Sequence, residues 1–281
     1  MSSHQLKRHS INFLYYLGGI AILLFFVSPL LWTLSISLKT IPELFSRQVV
    51  WWPANPQWNN YVAVFQNTNI PRNLLNSLIL VTTSIVLVML IAVPSAYGLS
   101  RFRFKSKQAT MLLILVFQMM SPVVIVIPLY RMFISLGIYN QLWSLIIAYA
   151  ASSAPFTVWY LKGYFETIPL ALDEAAHIDG ASRLYTLTRV HLPIALPGIV
   201  STVVLLAVQT WSHFIFPSIL LDDKNLYPVA VGLLDLQSTS EAITVHYLAA
   251  ASIMSVLPIL ICFIVFQKFI VSALTQGAVK G

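Results

Sequence analysis

The sequence predicts an all-α membrane protein with six transmembrane helices and one helix–turn–helix loop on the cytoplasmic face. Three observations lead there. The 281 residues are 58% hydrophobic and only 9% charged, with a mean hydropathy of +0.81, whereas soluble domains carry roughly 25% charged residues. Six stretches, about 13–38, 74–99, 110–130, 142–161, 194–221 and 247–271, are long enough to cross a bilayer core, which needs about 20 apolar residues. The few charges are not scattered: four of the nine acidic residues, Glu166, Asp173, Glu174 and Asp179, fall in one loop.

An unsatisfied backbone group costs several kcal/mol in lipid, so a spanning segment must be a helix or belong to a closed barrel. Uncharged runs of this length without strict alternation select helices. The first run is about twice the length of a signal-peptide core and is interrupted by Ser28-Pro29 without a small-x-small site, so it is expected to stay as a span. A first external loop follows at about 39–72, rich in Pro, Asn and Trp and expected to be irregular, with Trp51, Trp52 and Trp58 suited to the membrane–water interface. The second external loop, about 133–141, is short. The third, about 222–246, is acidic, with Asp222, Asp223, Asp235 and Glu241. The whole chain, 1–281, is expected to form one domain.

Orientation comes from the basic residues. Lys7, Arg8, Arg101, Arg103, Lys105, Lys107, Lys162, Arg183, Arg189, Lys268 and Lys280 lie on one side, 11 of the 16; Lys39, Arg47, Arg72, Arg131 and Lys224 lie on the other. The positive-inside rule then puts both termini and the loops at about 101–108 and 162–193 in the cytoplasm. The same rule accounts for the pI near 9.5 without a nucleic-acid partner. Arg131, at the outer end of the third span, can snorkel to the interface or meet an external partner.

The acidic loop has its own local logic. Pro169 suits a helical first turn, with Asp173 and Glu174 near the positive end of the dipole. Gly180 suits a left-handed C-cap. Ser182 is a good N-cap for a second short helix, expected to stop before Pro193. Ala175 and Ala176 keep the first helix slim, and Leu184, Tyr185 and Leu187 give the second an apolar edge.

Several chemistries are excluded or disfavoured. No G-x-x-x-x-G-K-[ST] phosphate loop occurs, so ATP hydrolysis by that route must come from another chain. No acidic residue lies inside a predicted span, which removes the usual carboxylate proton relay of coupled carriers. The lone cysteine, Cys262, forms no metal pattern. Substrate contacts are sought among polar and aromatic side chains inside spans, where a stacking ring and a few placed hydroxyl partners make a solute site. Gln209, Trp211, Ser212 and His213 are the leading set. Gln118 and Ser121, with Met119 and beside Pro122, form a second; Pro122 either breaks that helix or kinks it. Each of these residues serves equally well in helix–helix packing.

Glu174-Ala175-Ala176, three residues, Gly180, nine residues and Val190-His191-Leu192-Pro193 resembles the E-A-A-x3-G-x9-I-x-L-P loop of binding-protein-dependent ABC importer permeases, with Val190 in place of Ile. Ala96-Tyr97-Gly98-Leu99-Ser100-Arg101 is similar to the family's second-span exit. The 274–281 tail is similar to that of the carbohydrate-uptake branch and its smaller, maltose-type subunits. The resemblance implies a non-catalytic permease subunit of a bacterial-type cytoplasmic (inner) membrane that moves a sugar or sugar-like solute by alternating access. It implies that the segment at about 166–193 is a coupling loop, with Glu174, Ala175, Ala176, Asp179, Gly180, Arg183 and Leu184 meeting the ATPase. The implied partners are a homologous second permease, an ATPase dimer that holds ATP and Mg, and an external solute-binding protein; the chain itself binds no cofactor. The 277–281 tail either reaches the ATPase or is a frayed terminus. A peptide, amino-acid or polyol importer is the nearest alternative, and an ion-coupled carrier or membrane-embedded enzyme a more distant one.

Overall fold

In the computed structural model, residues 3–239 and 245–278 are described, with side chains described over 15–237 and 245–269. Glu241, Lys280, the side chains of Lys7 and Arg8, and the side chains of the 274–281 tail therefore lie outside the described residues. Every regular element within them is helical.

Two compact units are present. The first comprises Met1–Ile70 with Leu233–Val256. It contains α1 (Ser3–Ser37), α2 (Ile41–Leu44) and α3 (Asn59–Asn67), so the first external loop is more regular than its Pro and Trp content suggests. Asn60 supplies the reason: its side-chain amide donates to the carbonyls of Ser37 (2.8 Å) and Lys39 (3.2 Å). Those donations satisfy carbonyls that the end of α1 leaves without a helical partner. The Ser37 hydroxyl also meets the Tyr61 hydroxyl at 2.6 Å, and α3 is thereby pinned to the end of α1. At α2 the Glu43 carboxylate accepts from the Thr40 N–H and hydroxyl. That backbone bond, with a smaller contribution from the Thr40 hydroxyl, holds the Glu43 pKa below the usual carboxylate value.

The second unit comprises Pro71–Gly232 with Leu257–Gly281. It holds most of α4 (Ile70–Arg101), then α5 (Lys107–Met119), α6 (Pro122–Ser135), α7 (Leu142–Phe165), α8 (Ala171–Ile178), α9 (Arg183–Tyr185), a π turn at Thr186–His191, α10 (Leu192–Trp211) and α11 (Ile215–Leu220). Two further helices, α12 (Val229–Thr239) and α13 (Val245–Ala278), follow in the chain.

Among the described residues, five helical runs are long and apolar enough to span a membrane: Tyr15–Ser37, Ile70–Arg101, Leu142–Phe165, Arg183–Trp211 and Val245–Phe269. The sixth expected span is not one helix. α5 and α6 meet at a 96° bend, with Met120 and Ser121 both extended (ψ 131° and 137°). Pro122 is the cause, because it pushes the residue before it out of the helical region; the break, rather than a mere kink, is what forms. The fifth expected span also ends early, at Trp211, and resumes as α11. The second short helix of the acidic loop does not stop before Pro193. It runs on through the π turn into α10, whose first turn takes Pro193 at a position where no N–H is required.

Small residues set the packing of the second unit. Ala92 and Ala96 of α4, Ala150 of α7 and Ala195 of α10 are buried in one core with Phe165 and Leu206. Gly198 of α10 lies against the ring of Tyr164, where an added Cβ would come within 2.4 Å of the ring. In membranes, such small positions let helices approach closely where no hydrophobic effect drives them together. A second core joins Leu80 of α4, Val126 and Phe133 of α6, Tyr149 of α7, and Phe216 and Leu220 of α11.

Candidate functional site

α8 ends in a complete Schellman motif. The Ala181 N–H donates to the Ala176 carbonyl (2.9 Å) and the Gly180 N–H to that of His177 (3.1 Å). Closing the motif needs a left-handed residue, and Gly180 sits at φ +74°. Ser182 then caps α9, its hydroxyl accepting from the Tyr185 N–H at 3.3 Å. The product is helix, tight turn, helix, around a shallow cleft of about 590 Å³ lined by Ala175, Ala176, Asp179, Gly180, Ser182 and Tyr185 among others. Glu174, Ala175, Asp179, Gly180, Arg183 and Leu184 are exposed; Ala176 is buried on the inner face of α8. Leu184 and Ile178 are 70% and 85% exposed, an unusual state for branched apolar side chains at the tip of a polar loop. Arg183 is engaged within the chain, its guanidinium lying 4.4 Å over the Phe102 ring.

Beneath the loop lies a buried polar contact. Asp173 Oδ1 is 2.8 Å from His191 Nε2 and its Oδ2 is 3.0 Å from Arg101 Nε. The Arg101 contact is an ion pair too bent to count as a hydrogen bond, while the same guanidinium donates through Nη2 to the Ile168 carbonyl at 2.8 Å. The His191 side chain is wholly buried and that of Arg101 only 6% exposed. With Nε2 donating to the carboxylate, His191 Nδ1 is left without a hydrogen-bond partner. The imidazole packs beside the rings of Tyr97 and Phe165, with centroids 5.1 and 6.0 Å away. The π turn helps to place the imidazole there: the Leu192 N–H bonds the Leu187 carbonyl, one residue further back than in an α-helix.

A second feature is built from the two helix breaks. Gln118 and Ser121 flank the α5–α6 break, both exposed, and Gln209 and Ser212 flank the α10–α11 break, also exposed. Trp211 is buried. His213 lies in the gap, stacked on Phe216 at 4.6 Å and tilted against Tyr149 at 5.2 Å. The Tyr149 hydroxyl, His213 Nδ1 and the Ser84 hydroxyl oxygen are all buried with no hydrogen-bond partner. The segments beyond the two breaks, α6 and α11, pack against each other through Val126, Phe133, Phe216 and Leu220. Non-helical backbone at membrane depth survives only where protein buries it or it lines a watery cavity.

Sequence reasoning missed Tyr149, which looks like one more aromatic in an apolar run. It read Asp173 only as a helix-dipole residue and gave no role to Arg101 or His191. A histidine directly before Leu192-Pro193, at the entrance to a long apolar run, was the available signal for the last.

Between α6 and α7, the Asn140 side-chain oxygen accepts from the N–H groups of Asp222 (2.9 Å) and Asp223 (3.0 Å), with Asn140 itself at φ +56°. The Tyr139 hydroxyl donates to Asp222 at 2.8 Å. Burial, with that hydrogen bond adding to it, pushes the Tyr139 phenol up to about 12.

Residues 84–276 match the family model of the binding-protein-dependent transport system inner membrane component. The chain is 36% identical over 255 residues to the probable ABC transporter permease protein YurM of Bacillus subtilis, covering 90% of this chain and 83% of that protein. It is 32% identical to the trehalose/maltose transport system permease protein MalG of Thermococcus litoralis, covering 94% and 95% of the two chains. A solved bacterial ABC transporter involved in the import of the acidic polysaccharide alginate contains a chain that superposes with a TM-score of 0.80. That match is at 21% identity and covers 95% of this chain and 98% of that one. With a match over most of its length and relatives similar nearly end to end, this chain belongs to the binding-protein-dependent inner membrane components, the non-catalytic permease subunits of ABC transporters.

Proposed function

We propose that this chain is the permease subunit of an ATP-driven importer for a sugar or sugar-like solute, and that the α8–α9 loop is where the motor engages. The observation that carries the reading is the loop itself. It presents Glu174, Ile178 and Leu184 outward around a left-handed Gly180, on a base fixed by buried charges, as a knob that must fit a socket requires. The socket belongs to a cytoplasmic ATPase dimer, which holds ATP and Mg. Glu174 makes a polar contact there, Ala175 and Asp179 line the approach, and Leu184 packs against it. Both termini and this loop are cytoplasmic. A second permease completes the pathway, and an external binding protein delivers the solute.

Alternating access follows from this arrangement. Closure of the ATPases pulls the two α8 loops together, and the attached spans rock as rigid bodies. The solute passes Gln209, Trp211, Ser212 and His213, with Gln118 and Ser121 across the neighbouring break; stacking rings and unpartnered polar atoms suit a polyhydroxylated ligand. The relatives named for trehalose/maltose, maltodextrin and diacetylchitobiose transport favour a carbohydrate. The tail beyond Ala278 is assigned no part.

Reconstitution of the chain with its second permease, ATPase and binding protein tests this. Uptake should require ATP and the binding protein together. Uptake that persists without the ATPase sinks the importer reading, and uptake of amino acids or peptides in preference to sugars sinks the solute class.

A further inference from the structure

The buried contact among Arg101, Asp173 and His191 does more than a solvated loop requires. Its members come from three places: the C-terminal end of α4, the first turn of α8, and the π turn that leads into α10. Asp173 is shared, one oxygen facing Arg101 at 3.0 Å and the other His191 at 2.8 Å. Arg101 also holds the Ile168 carbonyl just ahead of α8. On the other side of the turn, Arg183 lies over Phe102, directly after α4. The two arms of the loop are therefore tied to the same helix end.

Such a contact is stiff. Separating the pair would strand a guanidinium that is almost fully buried, and stranding one member of a buried pair is far more costly than the pair is worth when made. A tilt of α8 by itself would require that separation. A tilt of α8 together with α4 and the start of α10 would not.

We propose that Arg101, Asp173 and His191 are positioning residues that make α8 move as one body with the end of α4 and the start of α10. Motion imposed at the loop then reaches two spans directly instead of being absorbed by loop flexing. The link rests on the importer reading above and adds to it the route of transmission.

The test uses the complex as purified: this chain, the second permease and ATPase that come with it, and the binding protein. ATP hydrolysis is measured with and without the binding protein. The double variant Arg101→Gln/Asp173→Asn removes both charges together and leaves neither stranded. It should retain the ATPase in full amount with basal hydrolysis within about twofold of the unmodified complex, while stimulation by the binding protein falls about tenfold. Undiminished stimulation in the double variant overturns the link. So does stimulation lost in proportion to bound ATPase, because the contact would then only support folding. An unmodified complex with no ATPase attached, or with no stimulation, overturns the importer reading and the link with it.

Discussion

The base of the α8 loop and the α10–α11 break both bury polar side chains against aromatic rings, but they do so in opposite ways. At the loop base, Asp173 is ion-paired with Arg101 and bonded to His191, which leaves His191 Nδ1 as the imidazole atom without a partner. At the break, the Tyr149 hydroxyl and His213 Nδ1 are buried with nothing to bond. A charge-paired contact resists motion. An open one, which costs free energy while it stays open, is a place where a hydroxylated ligand or a water gains bonds on arrival. On the proposed reading, one part of the molecule is pushed and the other visited.

The contrast can be broken at several points. The largest effect is expected at Gly180→Ile. A β-branched residue at φ +74° costs about 1–3 kcal/mol locally and opens the Schellman turn, so uptake should be abolished while membrane insertion stays normal. Normal uptake would remove Gly180 as an essential turn. Next is Asp173→Ala, which leaves the nearly buried Arg101 without its partner. A loss of about 3–5 kcal/mol is expected by analogy with broken buried pairs, at the low end because Asp173 is 23% exposed. Thermal unfolding in detergent reads it, and an unchanged midpoint would show the pair to be incidental.

At the open site the expected effects move from stability to solute handling. His213→Ala should raise the half-saturating solute concentration about tenfold, as the loss of a stacked, hydrogen-bonding ring does, with little change in unfolding temperature; the reverse pattern would make His213 a packing residue. Tyr149→Phe is the sharpest contrast with Asp173. It deletes a buried hydroxyl with no partner, so stability should hold or rise by up to about 1 kcal/mol while solute affinity drops. A clear loss of stability would mean that the hydroxyl is bonded after all.

The smallest effects lie in the loops that hold Tyr139 and Glu43. The Tyr139 phenol is raised from 10.0 to about 12, so folding favours its protonated form. Its contribution is fully present below about pH 10 and is lost as pH rises through about 12. The difference in unfolding temperature between the unmodified chain and Tyr139→Phe should therefore be flat up to pH 10 and shrink above it. For Glu43 the sign is opposite: its pKa is lowered from 4.5, so the Thr40 contact stabilises above that value and fades as pH falls. Amide exchange at 40–45 follows it.

Much of this could be read along the chain. Long apolar runs marked the spans, because lipid leaves the backbone no alternative to helix. Gly180 and Ser182 marked the turn and the second cap, because each satisfies a demand of its immediate neighbours. The α5–α6 bend was only half legible. Pro122 announced a disturbance, but whether a proline kinks or breaks a membrane helix depends on what covers the freed backbone. Pro193 misled for the same reason: the π turn ahead of it let the helix continue. Arg183, expected at the ATPase contact, is exposed and also lies over Phe102, which no local signal announced.

What the sequence determined by itself is local: which segments are helices, where the loop turns, and that no phosphate loop accompanies the spans. Those follow from hydrophobic length, capping chemistry and backbone freedom, which act over a few residues. Only the tertiary structure decided that Arg101 meets a carbonyl 67 positions away, that Asp173 is shared with His191, and that Tyr149 faces His213 without a bond for either polar atom. Such contacts depend on which helices pack together and in what rotation, and the small residues that permit close packing, Ala92, Ala96 and Gly198, do not name their partners.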